Sequence, residues 1–305
     1  MQEYLNKIIE DNKKYIEYGA LPEYIPELVK ANKDALGMSV VSLDGKEYHA
    51  GDYQYKFTIQ SISKVISLLL ALEEKGEEYV FNRVGMEPTG DPFNSMIKLE
   101  TVRPSKPFNP MINAGAIAIS SMIEGRSSMG KVEKLLAFFR QITDNPDLTI
   151  NENVYLSEKR TGDRNRALAY FMKDVGVIEK DVEGSLDVYF KQCSIEVTTR
   201  DIARIGAFLA NNGVDLITGK SLVREKYIKI AKTFMFTCGM YNASGEFAIN
   251  VGIPAKSGVG GGILATVPGQ MGIGIVGPSL DEKGNSIAGV QMIRDFSEKY
   301  KLSIL

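Results

Sequence analysis

Ser61-Ile-Ser-Lys-Val-Ile-Ser-Leu-Leu-Leu-Ala-Leu72 marks the point at which the chain changes character. Ile62, Val65, Ile66 and Leu69 recur at spacings of three and four, the period of a helix, and the run is apolar nearly all round, so the helix is expected to be buried. Upstream the pattern differs. Met38-Ser-Val-Val-Ser-Leu43 reads as a strand, Asp44-Gly45 as a tight turn and Lys46-Glu-Tyr-His-Ala50 as the returning strand of a hairpin. Ahead of it, Leu5, Ile8, Ile9, Tyr15 and Ile16 fit an amphipathic helix laid on a larger body.

Downstream of Leu72, helical patterns recur to about Lys232, among them Lys131 to Gln141, Arg164 to Asp174 and Thr199 to Asn211, the last stopped by Asn211-Asn-Gly213. Pro- and Asn-rich loops at Arg103 to Pro110 and Thr143 to Asn153 separate them. After Cys238 glycines crowd among apolar triplets. Phe247 to Val251, Gly262 to Val267 and Met271 to Val276 read as short strands, with Pro268-Gly269 as a turn between the last two. Asn285 or Ser286 is expected to cap a closing helix through Tyr300. Strands thus lie towards both ends of the chain. The expectation is an α+β fold: one antiparallel sheet assembled from both ends and flanked by helices, with a mainly helical subdomain inserted. In residues, that means 1–72 and 233–305 for the sheet-containing part and 73–232 for the helical one. No internal repeat or low-complexity segment is visible.

Composition narrows the chemistry. Among 305 residues, 36 Lys and Arg face 38 Asp and Glu, a formal net charge of −2 that offers no basic excess for nucleic acid. The apolar fraction of 44% suits a packed core rather than a disordered chain. His49 is the single histidine, so a His-rich zinc cluster is excluded and a Ser-His-Asp triad has one candidate, which reads better as a strand side chain. Cys193 and Cys238 are too few and too distant for a disulfide framework, which suits a reducing cytoplasm. The charged start from Met1 to Tyr18 does not look like a signal peptide. The longest apolar run, Val65 to Leu72, falls far short of the roughly 20 residues that span a bilayer.

A serine three residues before a lysine on a helix shares a face with it, and a neutral lysine amine can take the hydroxyl proton without any histidine. The spacing occurs three times: Ser61/Lys64, Ser95/Lys98 and Ser128/Lys131. Ser95 lies in a Pro-bounded loop, and Ser128 sits where a helix cap is natural. Ser61 opens the most apolar helix, where a lysine is costly unless water, a hydrogen bond or neutralisation relieves it. The bland alternative is an N-cap serine followed by a snorkelling lysine. Lys256-Ser257-Gly258 adds a second element at a glycine-rich entry to a strand. With Ser-x-x-Lys it makes two of the three signatures of penicillin-recognising serine hydrolases, while Tyr241-Asn242-Ala243 gives only an incomplete third. Gly272-Ile-Gly-Ile-Val-Gly277 matches a dinucleotide fingerprint in letters, but Pro278 and Ser279 follow where a helix is required, so a glycine-containing strand is the better account.

Seven segments in order carry a resemblance over nearly the whole chain: Tyr24 to Leu28, Gln60 to Lys64, Asn109 to Ala116, Ser157 to Asn165, Cys193 to Val197, Cys238 to Tyr241 and Pro254 to Val259. The chain resembles the serine-dependent glutaminases, which share the β-lactamase-like fold. That resemblance implies hydrolysis of L-glutamine to L-glutamate and ammonia, with no metal or organic cofactor, by a cytoplasmic homo-oligomer of two or four copies. It also implies roles for residues. Ser61 matches the nucleophile, Lys64 the general base, and Ser61 with Val259 the main-chain N–H pair for an oxyanion. Tyr241 matches a hydroxyl near the reacting centre and Tyr24 a polar group on the substrate side, while Asn113, Glu158, Asn165 and Tyr189 match the residues that hold the amino-acid end. Charge supports this independently: glutamine's ammonium needs an anionic acceptor such as Glu158, and its carboxylate needs donors such as Asn113, Asn165 and Tyr189. Two other readings remain at this point, a penicillin-interacting peptidase or β-lactamase using Ser61, Lys64 and Lys256, and a glutamine-binding module without catalysis.

Overall fold

The computed structural model describes residues 1–179 and 181–305. Its centre is a five-stranded antiparallel sheet built from both ends of the chain, in the order β2 (Glu47–Gly51), β1 (Gly37–Ser42), β7 (Met271–Val276), β6 (Gly262–Val267) and β5 (Ala255–Gly258). β1 and β2 form the expected hairpin around the Gly45 turn, and β1 pairs with β7 so that Val40 lies opposite Ile273. β6 and β7 are joined through Pro268-Gly269, where Gly269 takes a φ of 70° and Gln270 N–H donates to Val267 O.

Alternation along β7 sorts its two faces. Met271, Ile273 and Ile275 join Met38 and Val40 in a core covered by the helices α1 (Gln2–Asn12) and, at the other end of the chain, α12 (Ile287–Tyr300). Leu5, Ile8 and Ile9 of α1 and Met292, Ile293 and Phe296 of α12 supply the covering side chains. Tyr15 and Ile16 follow α1 in a short 3-10 turn rather than continuing it. Ser286 caps α12 by accepting from Gly289 N–H. The glycines of β7 face the opposite way, towards a helix from the middle of the chain, Thr199–Ala210. A Cβ on Gly272 would lie 2.0 Å from Ala207 N, and one on Gly274 would lie 2.1 Å from Thr199 O. The Gly-x-Gly repeat therefore serves helix-on-sheet contact, not a phosphate.

Between β2 and β5 the chain is mainly helical. A two-residue strand, β3 (Phe57–Thr58), leads into the buried helix α2 (Ser63–Arg83). There follow α3 (Ile97–Thr101), α4 (Asn113–Met122), α5 (Ser128–Thr143), α6 (Glu152–Thr161), α7 (Asp163–Asp174) and α8 (Val182–Cys193). Next come β4 (Glu196–Val197), which pairs with β3, then α9 (Thr199–Ala210), α10 (Glu225–Cys238) and α11 (Ser244–Asn250). Val65, Ile66, Leu68, Leu69 and Leu72 of α2 are wholly buried in one core with α4, α8 and α10. We propose a division into 1–72 with 233–305 and 73–232, noting that α2 runs across the first boundary and that α9, within the second stretch, lies on the sheet. Among the described residues no helix is long and apolar enough to cross a membrane.

Two local expectations are corrected. Phe247 to Val251 is not a strand: Phe247 and its neighbours lie in α11, where Phe247 is buried and Ile249 faces solvent. A run this short does not separate the two periods, and Ser244, which accepts from Met240 N–H and donates to Tyr241 O, winds the chain into a helix. The cap of α5 is Ser127, accepting from Gly130 N–H, and Ser128 is the first helical residue.

The glycine contacts give a stability test. Gly272→Ala forces a Cβ against main chain and should cost about 3 kcal/mol. Gly245→Ala, in α11 with open space around it, should leave stability unchanged or raise it by up to about 1 kcal/mol. Urea unfolding of both variants checks the pair.

Candidate active site

The chain approaches α2 through an unusual turn. Ile59 N–H donates to Ile195 O, fixing the end of β3, and Gln60 then adopts a left-handed φ of 51°. Ser61 and Ile62 complete one 3-10 turn before the helix proper, so Ser61 precedes α2 rather than capping it. A non-glycine residue in this region is strained and needs fixing by its surroundings. Here Gln60 Nε2 donates to Thr58 Oγ1 at 3.1 Å and to Glu158 Oε1 at 2.9 Å, while Gln60 O accepts from Ser63 Oγ at 2.7 Å.

Lys64, one helical turn beyond Ser61, is 1% exposed. Its Nζ donates to Met111 O at 3.2 Å and to Asn113 Oδ1 at 2.8 Å, with no carboxylate in ion-pair range among the described residues. Burial pushes its pKa down to about 8, against the smaller opposing pull of Cys193 and Glu158. The other two Ser-x-x-Lys pairs have ordinary surroundings. Lys98 bonds Thr89 Oγ1 and pairs with Asp91, and Lys131 bonds Ser121 O.

The second wall comes from the far end of the chain. β5 ends at Gly258, and Val259 follows, packed with Tyr241, Ile25 and Leu280. A Cβ on Gly258 would lie 2.7 Å from Ile59 O, and one on Gly260 would lie 2.4 Å from Thr58 O. Glycine on both sides is what lets this segment reach the Gln60–Ser61 turn. Among the described residues neither Ser61 N–H nor Val259 N–H donates to a main-chain carbonyl.

One cleft is lined by Tyr24, Ser61, Asn113, Glu158, Asn165, Tyr189 and Val259, together with Gln60 and Phe93. Lys64 lies beneath it, reached through Asn113, whose Nδ2 in turn donates to Asn165 Oδ1 at 3.1 Å. Tyr24 stands at the mouth, 53% exposed. Glu158 is buried, and burial raises its pKa to about 7 against the opposing influence of the Gln60 hydrogen bond and the Lys64 charge. Burial likewise raises the Tyr189 phenol well above its usual value. Tyr241, also at a left-handed φ of 52°, donates its hydroxyl to Ser257 O at 3.1 Å. Burial raises its pKa, and the nearby Ser61 hydroxyl partly offsets the rise. His49 lies elsewhere, stacked on Tyr53 and bonded to Ser39 Oγ. Among the described residues no group of three or more His, Cys, Asp or Glu side chains converges to hold a metal ion.

Two participants had no assigned role in the sequence. Gln60 carried a signal in its place directly before Ser61. Phe93 carried none: it lies in a Pro-rich loop, yet its O accepts from Asn113 N–H and its ring packs on Tyr241 with centroids 4.8 Å apart.

Comparison with known proteins gives one consistent family. The glutaminase family profile matches residues 19–305. A glutaminase of Alkaliphilus metalliredigens is 68% identical over 304 residues, covering 100% of both chains, and glutaminase 2 of Clostridium perfringens is 59% identical with the same coverage. Among solved structures, a probable glutaminase of Bacillus subtilis superposes with a TM-score of 0.94 at 44% identity, covering 100% of this chain and 97% of that one. A Bacillus subtilis glutaminase in covalent complex with 5-oxo-L-norleucine, formed by reaction with 6-diazo-5-oxo-L-norleucine, has a TM-score of 0.90 at 42% identity, covering 100% and 99%.

The buried carboxyl makes a prediction with a definite sign. A folded-state pKa near 7 against the ordinary 4.5 means that the folded protein holds a proton the unfolded chain releases, so stability falls as pH rises between those values. Glu158→Gln removes that loss. Its stability relative to wild type should improve by about 2.5 kcal/mol between pH 5 and pH 8, as read from denaturant midpoints at both pH values.

Proposed function

Because the chain belongs to the glutaminase family, its reaction is hydrolysis of the side-chain amide of L-glutamine to L-glutamate and ammonia, and we propose that it proceeds through a γ-glutamyl ester on Ser61. The observation that carries this mechanism is Lys64, a buried amine without a carboxylate partner among the described residues, one helical turn from that serine. A neutral amine has two N–H groups, and Met111 O with Asn113 Oδ1 takes both. The nitrogen lone pair is left to accept the Ser61 proton as the hydroxyl oxygen attacks the carboxamide carbon.

The tetrahedral oxyanion then forms between Ser61 N–H and Val259 N–H, donors of a kind whose loss typically costs about 2.7–4 kcal/mol of activation free energy. Lys64, now an ammonium, returns the proton to the leaving nitrogen, directly or by way of the Tyr241 hydroxyl, and ammonia departs. Water attacks the ester with Lys64 again as base, releasing glutamate and restoring Ser61. Glu158 receives the substrate ammonium, whose charge favours the carboxylate form in a setting that otherwise favours the acid. Asn113, Asn165 and Tyr189 supply polar groups for the carboxylate end, and Tyr24 closes the mouth.

The penicillin-type and purely binding readings give way to family membership. A cytoplasmic location and a homo-oligomer of two or four copies belong to the proposal as well, supported by the two free cysteines and by the family likeness.

Two outcomes test the mechanism. Ser61→Ala and Lys64→Ala should each lower ammonia release from glutamine by about 10⁴-fold or more while folding is kept, and 6-diazo-5-oxo-L-norleucine should add to wild type but not to Ser61→Ala in intact-mass spectra. Activity within tenfold of wild type in either variant would remove the assignment. In wild type, kcat/KM should rise with pH through an ionisation near 8, because only the neutral Lys64 amine accepts a proton. A profile that falls over that range contradicts the base.

A further inference from the structure

Lys256 is as deeply buried as Lys64, with 0% exposure, and it also has no carboxylate in ion-pair range among the described residues. Its Nζ donates to Ser257 O at 2.6 Å and to Gly239 O at 3.1 Å, and it stands 4.3 Å from the centroid of the Tyr241 ring. These contacts join two segments. Ser257 belongs to β5, which delivers Val259, and Gly239 begins the turn that delivers Tyr241. Ser257 N–H donates to Gly239 O as well, and a Cβ on Gly239 would lie 1.8 Å from Ala255 O, so the two main chains touch here. Ser257 O is the shared acceptor: it receives both the Lys256 amine and the Tyr241 hydroxyl.

We propose that Lys256 is a positioning residue that locks the Tyr241 hydroxyl onto the β5 main chain through their shared acceptor, Ser257 O. The inference rests on the reading of Tyr241 as a group at the reacting centre. Filling this space alone needs no amine. A methionine of similar length would fill it without desolvating a polar group, and exchanging buried charge for apolar bulk is often neutral for stability. What an amine adds is a pair of hydrogen bonds across the junction and contact with the face of the Tyr241 ring. Burial, and next the Lys64 charge, pushes the Lys256 pKa well below its usual value. Tyr241, with its left-handed backbone, packs against both this amine and the Phe93 ring. Loss of the amine therefore loosens the hydroxyl more than it loosens the fold.

A double-mutant cycle on purified enzyme with glutamine as substrate tests this. Lys256→Met should remain folded and lose about 100-fold in kcat with KM changed by less than about threefold. Tyr241→Phe should be impaired on its own, and adding Lys256→Met to it should cost less than about threefold more, because both act through one hydroxyl. Independent, multiplicative losses would show a role separate from Tyr241 and overturn the proposal. So would a Lys256→Met enzyme within threefold of wild type while Tyr241→Phe is impaired, which leaves the Tyr241 reading intact. If Tyr241→Phe is itself fully active, that reading falls and this inference with it. If Lys256→Met does not fold, Lys256→Gln, which keeps a donor, takes its place in the cycle; failure of both to fold assigns Lys256 to stability alone and overturns the proposal.

Discussion

The rest of the molecule is organised around an amine taken out of water without a counter-charge. Removing an ammonium from solvent costs several kcal/mol unless a carboxylate or neutralisation compensates. Among the described residues only neutral oxygens, Met111 O and Asn113 Oδ1, receive the Lys64 N–H groups. The apolar helix around it and the α4 start that presents Asn113 are the surroundings that make the uncharged form accessible, against the opposing pull of Glu158. The α2 packing is thus both core and the setting of the proposed base. Val65, Ile66, Leu68 and Leu69 exclude the water that would otherwise return the lysine to its ordinary basicity.

A second constraint is closeness of main chain to main chain. Five non-glycine residues among those described have left-handed φ, and three of them, Asp144, Asn212 and Lys301, sit at helix ends where such geometry is routine. The other two, Gln60 and Tyr241, flank the cleft. Each is fixed by its own hydrogen bonds and by packed neighbours, which places local strain beside the groups assigned to the reaction. The glycines at 258 and 260 complete the same junction by allowing β5 to meet the Thr58–Ile59 carbonyls.

Much of this was legible in the sequence, for identifiable reasons. The hairpin of β1 and β2 and the burial of α2 follow from period and turn chemistry. Ser61 and Lys64 stood out from two other pairs of equal spacing because an all-apolar helix does not tolerate a lysine without cause. The glycines of β7 were legible as strand residues, but their purpose was not: it depends on Ala207 and Thr199 of α9, which tertiary packing alone brings to the sheet. The burial of Glu158 and the contact of Phe93 with Tyr241 are likewise long-range facts. No local pattern distinguishes a glutamate on a polar helix that faces solvent from one that faces a cleft. The α11 segment was misread because its apolar residues fit either period over so short a run.

The sheet's strand order has a consequence in time. β1 cannot acquire its inner neighbour until β7 exists, and Ser61 meets Val259 only when the last third of the chain folds back on the first. During synthesis the proposed nucleophile and base, Ser61 and Lys64, emerge early, beside a helical stretch rich in local contacts, while the facing amide is still unmade. The nascent polypeptide therefore carries a hydroxyl and an amine with no partner for a forming anion, and hydrolytic competence arrives in one late step, together with closure of the fold.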